Sequence, residues 1–167
     1  MTSTQDIEAR VVSTLESLGI EYEKFEIDPD FADTAAFCEK YGYSMDESGN
    51  TILVASKRGA KKYCACIVKA TDRLDVNHVV KRLMEVSRVS FASPDDTREV
   101  TGMMIGGVTP FALPEDMPIY VDQGILDLKS VILGSGSRSS KLNMAPAELK
   151  KTPNLQFIEG LAMAPKD

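Results

Sequence analysis

Three glycines and a proline stand between two apolar segments in Thr101-Gly102-Met103-Met104-Ile105-Gly106-Gly107-Val108-Thr109-Pro110-Phe111, with no periodicity to account for them. A second cluster, Gly134-Ser135-Gly136-Ser137, follows the apolar run Val131-Ile132-Leu133. Glycine reaches positive φ and lets a ligand approach the main chain, so such loops can turn backbone N–H groups toward an oxyanion, a carboxylate or a phosphate. Gly and Pro also punctuate ordinary turns. Two loops of this kind beside apolar strands predict a backbone-lined pocket, with two plain turns as the alternative.

Few other residues offer reactive chemistry. Cys38, Cys64 and Cys66 are odd in number and His78 is the single histidine, so neither a disulfide framework nor a Cys/His zinc site has its ligand set. Cys64 and Cys66 share one face of a strand by their period-two spacing, which predicts core packing for both. His78 sits in a helical run and reads as a helix-surface residue, not as a base. Asp122 ends a strand before Gln123-Gly124, where it can close an Asx turn or contact substrate; the turn is favoured. Met103 and Met104 read as core gap-fillers, with an adaptable pocket lining as the other possibility.

The elements that must position these loops follow from periodicity and breakers. Ile7, Val11, Leu15 and Leu18 recur at helical spacing before Gly19, giving an amphipathic helix over residues 4–18. A strand over 22–27 leads to Asp33, which can cap a helix running to Gly42. The β-rich runs 50–56 and 62–69 form a hairpin around Lys57-Arg58-Gly59-Ala60-Lys61. Asp75 opens a helix over 75–85, 88–91 is a short strand, and Ser93-Pro94-Asp95-Asp96 starts a helix that ends at Gly102. Strands at 118–121 and 129–133, a short helix from Pro146 through Lys151 and a strand at 155–157 complete the chain. The expectation is a single α+β domain over residues 1–167, with a mixed β-sheet of hairpin and crossover connections surrounded by helices.

Composition narrows the setting. At 167 residues the chain can bury a sizeable core without staples. The start of the sequence has neither a basic n-region nor an apolar h-region, and no stretch approaches a membrane span, so a soluble, cytoplasmic protein without a membrane partner is expected. The net charge of −6 is unevenly spread: residues 1–50 carry twelve acidic against three basic side chains, residues 57–88 nine basic against three acidic. A local basic surface can attract phosphates even on an acidic protein, although a solvated lysine-rich face would look the same.

In the order and spacing of its pieces the chain resembles the YbaK/prolyl-tRNA synthetase-associated editing-domain family of aminoacyl-tRNA deacylases. The matching pieces are Thr51-Ile52-Leu53-Val54-Ala55, Arg73-Leu74-Asp75, Ser93-Pro94 leading to Thr101-Gly102, Gly106-Gly107-Val108-Thr109-Pro110 as the family's GxxxP loop, Val121-Asp122, and Gly134-Ser135-Gly136. The resemblance implies a YbaK-like fold and a pocket that takes the aminoacyl-adenosine end of a mischarged tRNA and hydrolyses its ester, with no cofactor or metal. It implies Asn50 and the Gly106, Gly107, Val108, Thr109 and Pro110 loop at the reacting centre, with Gly134, Ser135 and Gly136 toward the substrate and Asp122 there only if it does not close its turn. Partners would be mischarged aminoacyl-tRNA and an aminoacyl-tRNA synthetase, and a monomer is the default.

One departure bears on activity. A lysine ordinarily precedes the Thr-Leu-Leu-Val-like strand in that family, and this chain has Asn50 there. Asn donates and accepts hydrogen bonds but carries no charge. Lys57 lies seven residues along the same strand, about 23 Å away. If Gly59-Ala60 makes a two-residue turn, Lys69 falls opposite Asn50, about 5 Å away on the same face, and could supply the missing amine. Two functions remain open: a free-standing trans-editing hydrolase, or a non-catalytic module that binds an aminoacyl-adenosine-like ligand, tRNA or a protein. A hydrolase or regulatory module with another acyl substrate is a third.

Overall fold

The structure, a computed structural model, describes residues 4–57 and 60–164. Helix α1 (Thr4–Ser17) buries Ile7, Val11 and Leu15, spaced by four, and ends at Gly19 with φ +69°. After β1 (Glu23–Glu26), helix α2 (Thr34–Tyr41) stops at Gly42, φ +78°. Then come β2 (Gly49–Ser56), β3 (Tyr63–Lys69), β4 (Arg73–Leu74), α3 (Lys81–Met84), β5 (Val89–Phe91) and α4 (Pro94–Thr101). The chain continues through β6 (Ile119–Asp122), β7 (Val131–Gly134), β8 (Ser140–Met144), β9 (Leu155–Ile158) and β10 (Ala162–Met163). In α4 the Ser93 hydroxyl accepts from the Asp96 N–H at 3.0 Å and Pro94 occupies the first turn, as the sequence predicts.

The fold is the expected mixed α+β, with a five-stranded sheet in the order β5-β2-β3-β6-β9. Its β5-β2-β3 part is antiparallel and its β3-β6-β9 part parallel. Both faces are covered, which explains the unbroken apolar run of β3. Ala65 and Ile67 join the cluster that contains α1, while Cys64, Cys66 and Val68 pack with Val76, Val79, Val80 and Met84. Both thiols are fully buried core residues. A second, three-stranded antiparallel sheet, β1-β8-β7, stands beside the first, tied to it by a parallel bridge between Ser48 and Ile132. β10 and β4 form a short pair.

Three expectations need correction. The helix from Asp75 is a π-helical turn, Val76–Val80, running into α3, with the Asp75 carboxylate accepting from the His78 N–H at 3.2 Å. Strand β8 was not anticipated at all: Ser140-Lys141-Leu142-Asn143-Met144 is too polar to read as a buried strand, yet it is the centre of its sheet. The hairpin register also differs. Arg58 and Gly59 lie outside the described residues, but the flanking pairs run Ala55↔Tyr63 through Gly49↔Lys69, so Asn50 faces Val68 and Lys69 faces Gly49. The Ser56 hydroxyl accepts from the Lys62 N–H at 2.8 Å and the Ser56 N–H donates to the Lys62 carbonyl at 2.9 Å, which closes a wider loop than a two-residue turn. That one-residue slip turns Lys69 to the other face from the one Asn50 occupies.

Candidate active site

The two glycine loops lock onto each other. The Gly136 N–H donates to the Gly107 carbonyl at 2.6 Å, and the Met104 N–H to the Gly136 carbonyl at 3.3 Å. A Cβ on Gly107 would stand 2.1 Å from the Ser137 carbonyl oxygen, and one on Gly134 2.5 Å from that of Val108. Only glycine permits this backbone-on-backbone contact. From the other side Glu8 on α1 accepts hydrogen bonds from the Ser137 and Ser140 hydroxyls, the latter at 2.8 Å, and pairs with Lys24 at 3.2 Å. Burial pushes the Glu8 carboxyl up, but the bonds from Ser137, Ser140 and Lys24 outweigh it and hold it below its ordinary value.

Arg138 fastens the rim. Its guanidinium donates to the Ile105 carbonyl at 2.7 Å, the Asp33 carboxylate at 3.0 Å and the Pro29 carbonyl at 3.0 Å. Asp33 therefore precedes α2 as expected but spends its carboxylate on Arg138 and makes no side-chain cap. Gly106, φ +85°, has no room for a side chain: a Cβ would meet Arg138 at 2.5 Å and Asp33 at 2.8 Å.

Beneath this rim lies a cavity of about 220 Å³ whose walls are Asp33 and Thr34, the β2 residues Gly49 to Ile52, the loop residues Ile105, Gly106 and Val108, then Gly134 and Lys141. Thr34 donates its hydroxyl to the Asn50 amide oxygen at 2.7 Å, which leaves the Asn50 NH₂ hydrogens for the cavity. The Thr51 hydroxyl is buried without a partner among the described residues. Lys141, 5% exposed, donates to the Gly106 carbonyl at 2.9 Å, and its Nζ lies 5.4 Å from the centre of the Phe37 ring. Burial first, then the charge of Arg138, lowers its pKa to about 8.

The structure thus brings Asn50, Gly106, Val108 and Gly134 together in one cavity. Gly107, Ser135 and Gly136 shape it from behind, with the Ser135 hydroxyl donating to the Ser140 carbonyl at 3.0 Å. Thr109 is fully buried, its hydroxyl without a partner among the described residues, and Pro110 lines a different depression beside Leu18 and Asn154. Lys69 and Asp122 do not line the cavity. Lys69 runs toward Gly124, its Nζ 3.8 Å from where a Cβ there would stand. Asp122 makes the Asx turn, accepting from the Gly124 N–H at 3.0 Å, and also ties down the Ala162 N–H at 3.0 Å. Met103 is core, whereas Met104 is 40% exposed and so is not the gap-filler expected. Lys141 escaped the sequence reading because its strand did; a lone lysine alternating with Leu142 and Met144 after a Gly-Ser loop was the available signal.

A model of the aminoacyl-tRNA editing domain matches residues 28–152, which include every residue of the cavity wall. The chain belongs to this family. Among curated proteins it is similar to the uncharacterized YwhH of Bacillus subtilis, 28% identical over 115 residues that cover 65% of this chain and 73% of that one. It is also similar to EbsC of Enterococcus faecalis, named "Putative Cys-tRNA(Pro)/Cys-tRNA(Cys) deacylase", 23% identical across 83% of this chain and 82% of that one. The editing-domain fold is shared with the solved hypothetical protein APE2540, at TM-score 0.80 and 24% identity over 92% of this chain and 99% of that one. A solved structure described as "a putative trans-editing enzyme for prolyl tRNA synthetase" matches at TM-score 0.79 and 23% identity over 94% of this chain and 98% of that one. No helix among the described residues is long and apolar enough to cross a membrane.

Proposed function

We propose that this protein is an aminoacyl-tRNA deacylase that acts in trans, hydrolysing the ester that joins a wrong amino acid to the terminal ribose of tRNA. The observation that carries this reading is the cavity itself: a glycine loop clamped in place, with the Asn50 amide and the Lys141 ammonium in the wall of about 220 Å³ of space. Such a site suits acyl transfer to water, which needs a positioned water and donors for a developing oxyanion more than a strong protein base. Water adds to the ester carbonyl carbon, the bond to the ribose oxygen breaks, and that oxygen takes a proton. The amino acid leaves as its carboxylate with one proton released to solvent. The adjacent ribose hydroxyl assists, and the reading requires no metal or cofactor. Rejection of cognate amino acids follows from the size of the cavity, as in a double sieve.

Asn50 supports a second reading, a module that binds the aminoacyl-adenosine end without turnover, because a neutral amide replaces the expected lysine. Incubation with tRNA charged with alanine, serine, cysteine or proline separates the two. The hydrolase reading predicts ester loss above the spontaneous rate with at least one of the four, abolished by Gly106→Val, whose Cβ would strike Arg138 and Asp33. Tight binding of all four with loss only at the spontaneous rate would establish the module instead.

A further inference from the structure

Lys141 is the only lysine buried among the described residues, and it has no carboxylate ion-pair partner among them. Burying an ammonium is costly unless its hydrogens are used. One is used, on the Gly106 carbonyl at 2.9 Å. The Phe37 ring covers another side, and the remaining direction is the cavity whose wall Lys141 helps to form. One further polar group of that wall, the Asn50 amide nitrogen, has no protein partner among the described residues. A cavity so lined calls for a ligand rich in acceptor oxygens. A neutral tether for Gly106 would not need a charged group beside Arg138; a ligand that becomes anionic would.

We propose that Lys141 binds the reacting carbonyl: its ammonium, held by the Gly106 carbonyl, donates to the carbonyl oxygen of the scissile ester and to the oxyanion formed when water adds. This rests on the deacylase reading. The charge absent at Asn50 on β2 is thereby supplied from β8, across the same cavity, and not from Lys69. Lys141 neither takes nor gives up a proton in the step; the oxyanion collapses as the bond to the ribose oxygen breaks. The charged and titratable groups that face Lys141 are Arg138 before β8, Asp33 preceding α2 and Cys38 on α2. Deprotonation near pH 8 removes the positive charge, so activity should fall on the alkaline side.

The test compares wild type, Lys141→Met and Lys141→Arg on whichever of the four charged tRNAs the wild type hydrolyses fastest, from pH 6 to 9.5, with thermal unfolding as a check on folding. The expectation is a loss of 100-fold or more for Lys141→Met, mostly in kcat, and a smaller loss for Lys141→Arg. The alkaline decline of the wild type should vanish in both variants. Activity of folded Lys141→Met within threefold of wild type, or an alkaline decline that persists in it, overturns the proposal. A second readout does not depend on turnover. The probe is 3′-alanylamino-3′-deoxyadenosine, whose amide the protein cannot readily hydrolyse, added to protein carrying ¹³C-labelled lysine. A shift of the Lys141 Cε signal on binding, with affinity lowered tenfold or more in Lys141→Met, supports Lys141 even if no tRNA is deacylated and the deacylase reading fails. Binding that leaves that signal unmoved, or no binding, overturns it.

Discussion

A buried ammonium lowers the stability of the protein that holds it, and at Lys141 the sign can be worked out. Its pKa falls from 10.5 to about 8 on folding. Between those values the unfolded chain holds a proton that the native state has released, so this group's contribution to stability rises with pH through that window and is lost as pH falls through 8. At neutral pH the cost is about 3 kcal/mol at most. Lys141→Met removes it, offset by the lost bond to Gly106 and the contact with Phe37. The variant should therefore be more stable than wild type at pH 7 by on the order of 1 kcal/mol in urea unfolding. A variant less stable by that amount would mean that Lys141 is mainly a structural tether. Lys141 and Asn50 also show what the sequence could and could not reveal of the site. Asn50 was legible because its position in front of an apolar strand is defined by its neighbours, whereas Lys141 becomes meaningful only once β8 is known to be the inner strand of its sheet.

At the scale of elements, the site depends on α1 through one carboxylate. Glu8 receives the Ser137 and Ser140 hydroxyls and Lys24, linking α1 to the glycine loop, β8 and β1. Glu8→Ala leaves the Ser137 hydroxyl without an acceptor, while Ser140 keeps Ser135 and Lys24 keeps Glu26, and should cost about 1–3 kcal/mol at pH 7. The Glu8 pKa is held below the ordinary 4.5, so its contribution is complete above that value and is lost as pH falls below it. The stability gap between wild type and variant should accordingly close in acid; a gap independent of pH would point to lost packing instead. The helix boundaries at Gly19, Gly42 and Gly102 were readable from sequence because each needs a left-handed residue that glycine provides. The hairpin register was not, because a loop longer by one residue leaves the apolar pattern of two fully buried strands unchanged while reversing the faces of their ends.

Across the whole molecule the charge is divided: segment 57–88 is basic, with Lys57, Lys61 and Lys62 exposed at the hairpin end of β2 and β3, while β3 returns to Lys69 opposite Gly49. Asn50 and Lys57 stand about 23 Å apart along β2. If the terminal adenosine enters the cavity, the exposed lysines of the hairpin meet phosphates farther along the acceptor stem. Affinity for tRNA should then fall linearly with salt on logarithmic axes, and Lys57→Glu with Lys62→Glu should flatten the slope by about 1–2. An unchanged slope would place the RNA contact elsewhere. The proposed function turns on one event, the loss of an amino acid from tRNA. Its most direct measurement is the single-turnover rate of ester loss from charged tRNA at rising protein concentration. A rate that rises above the spontaneous value and saturates is the predicted result. A rate equal to the spontaneous one at every concentration, with the tRNA demonstrably bound and all four amino acids tried, would contradict the account.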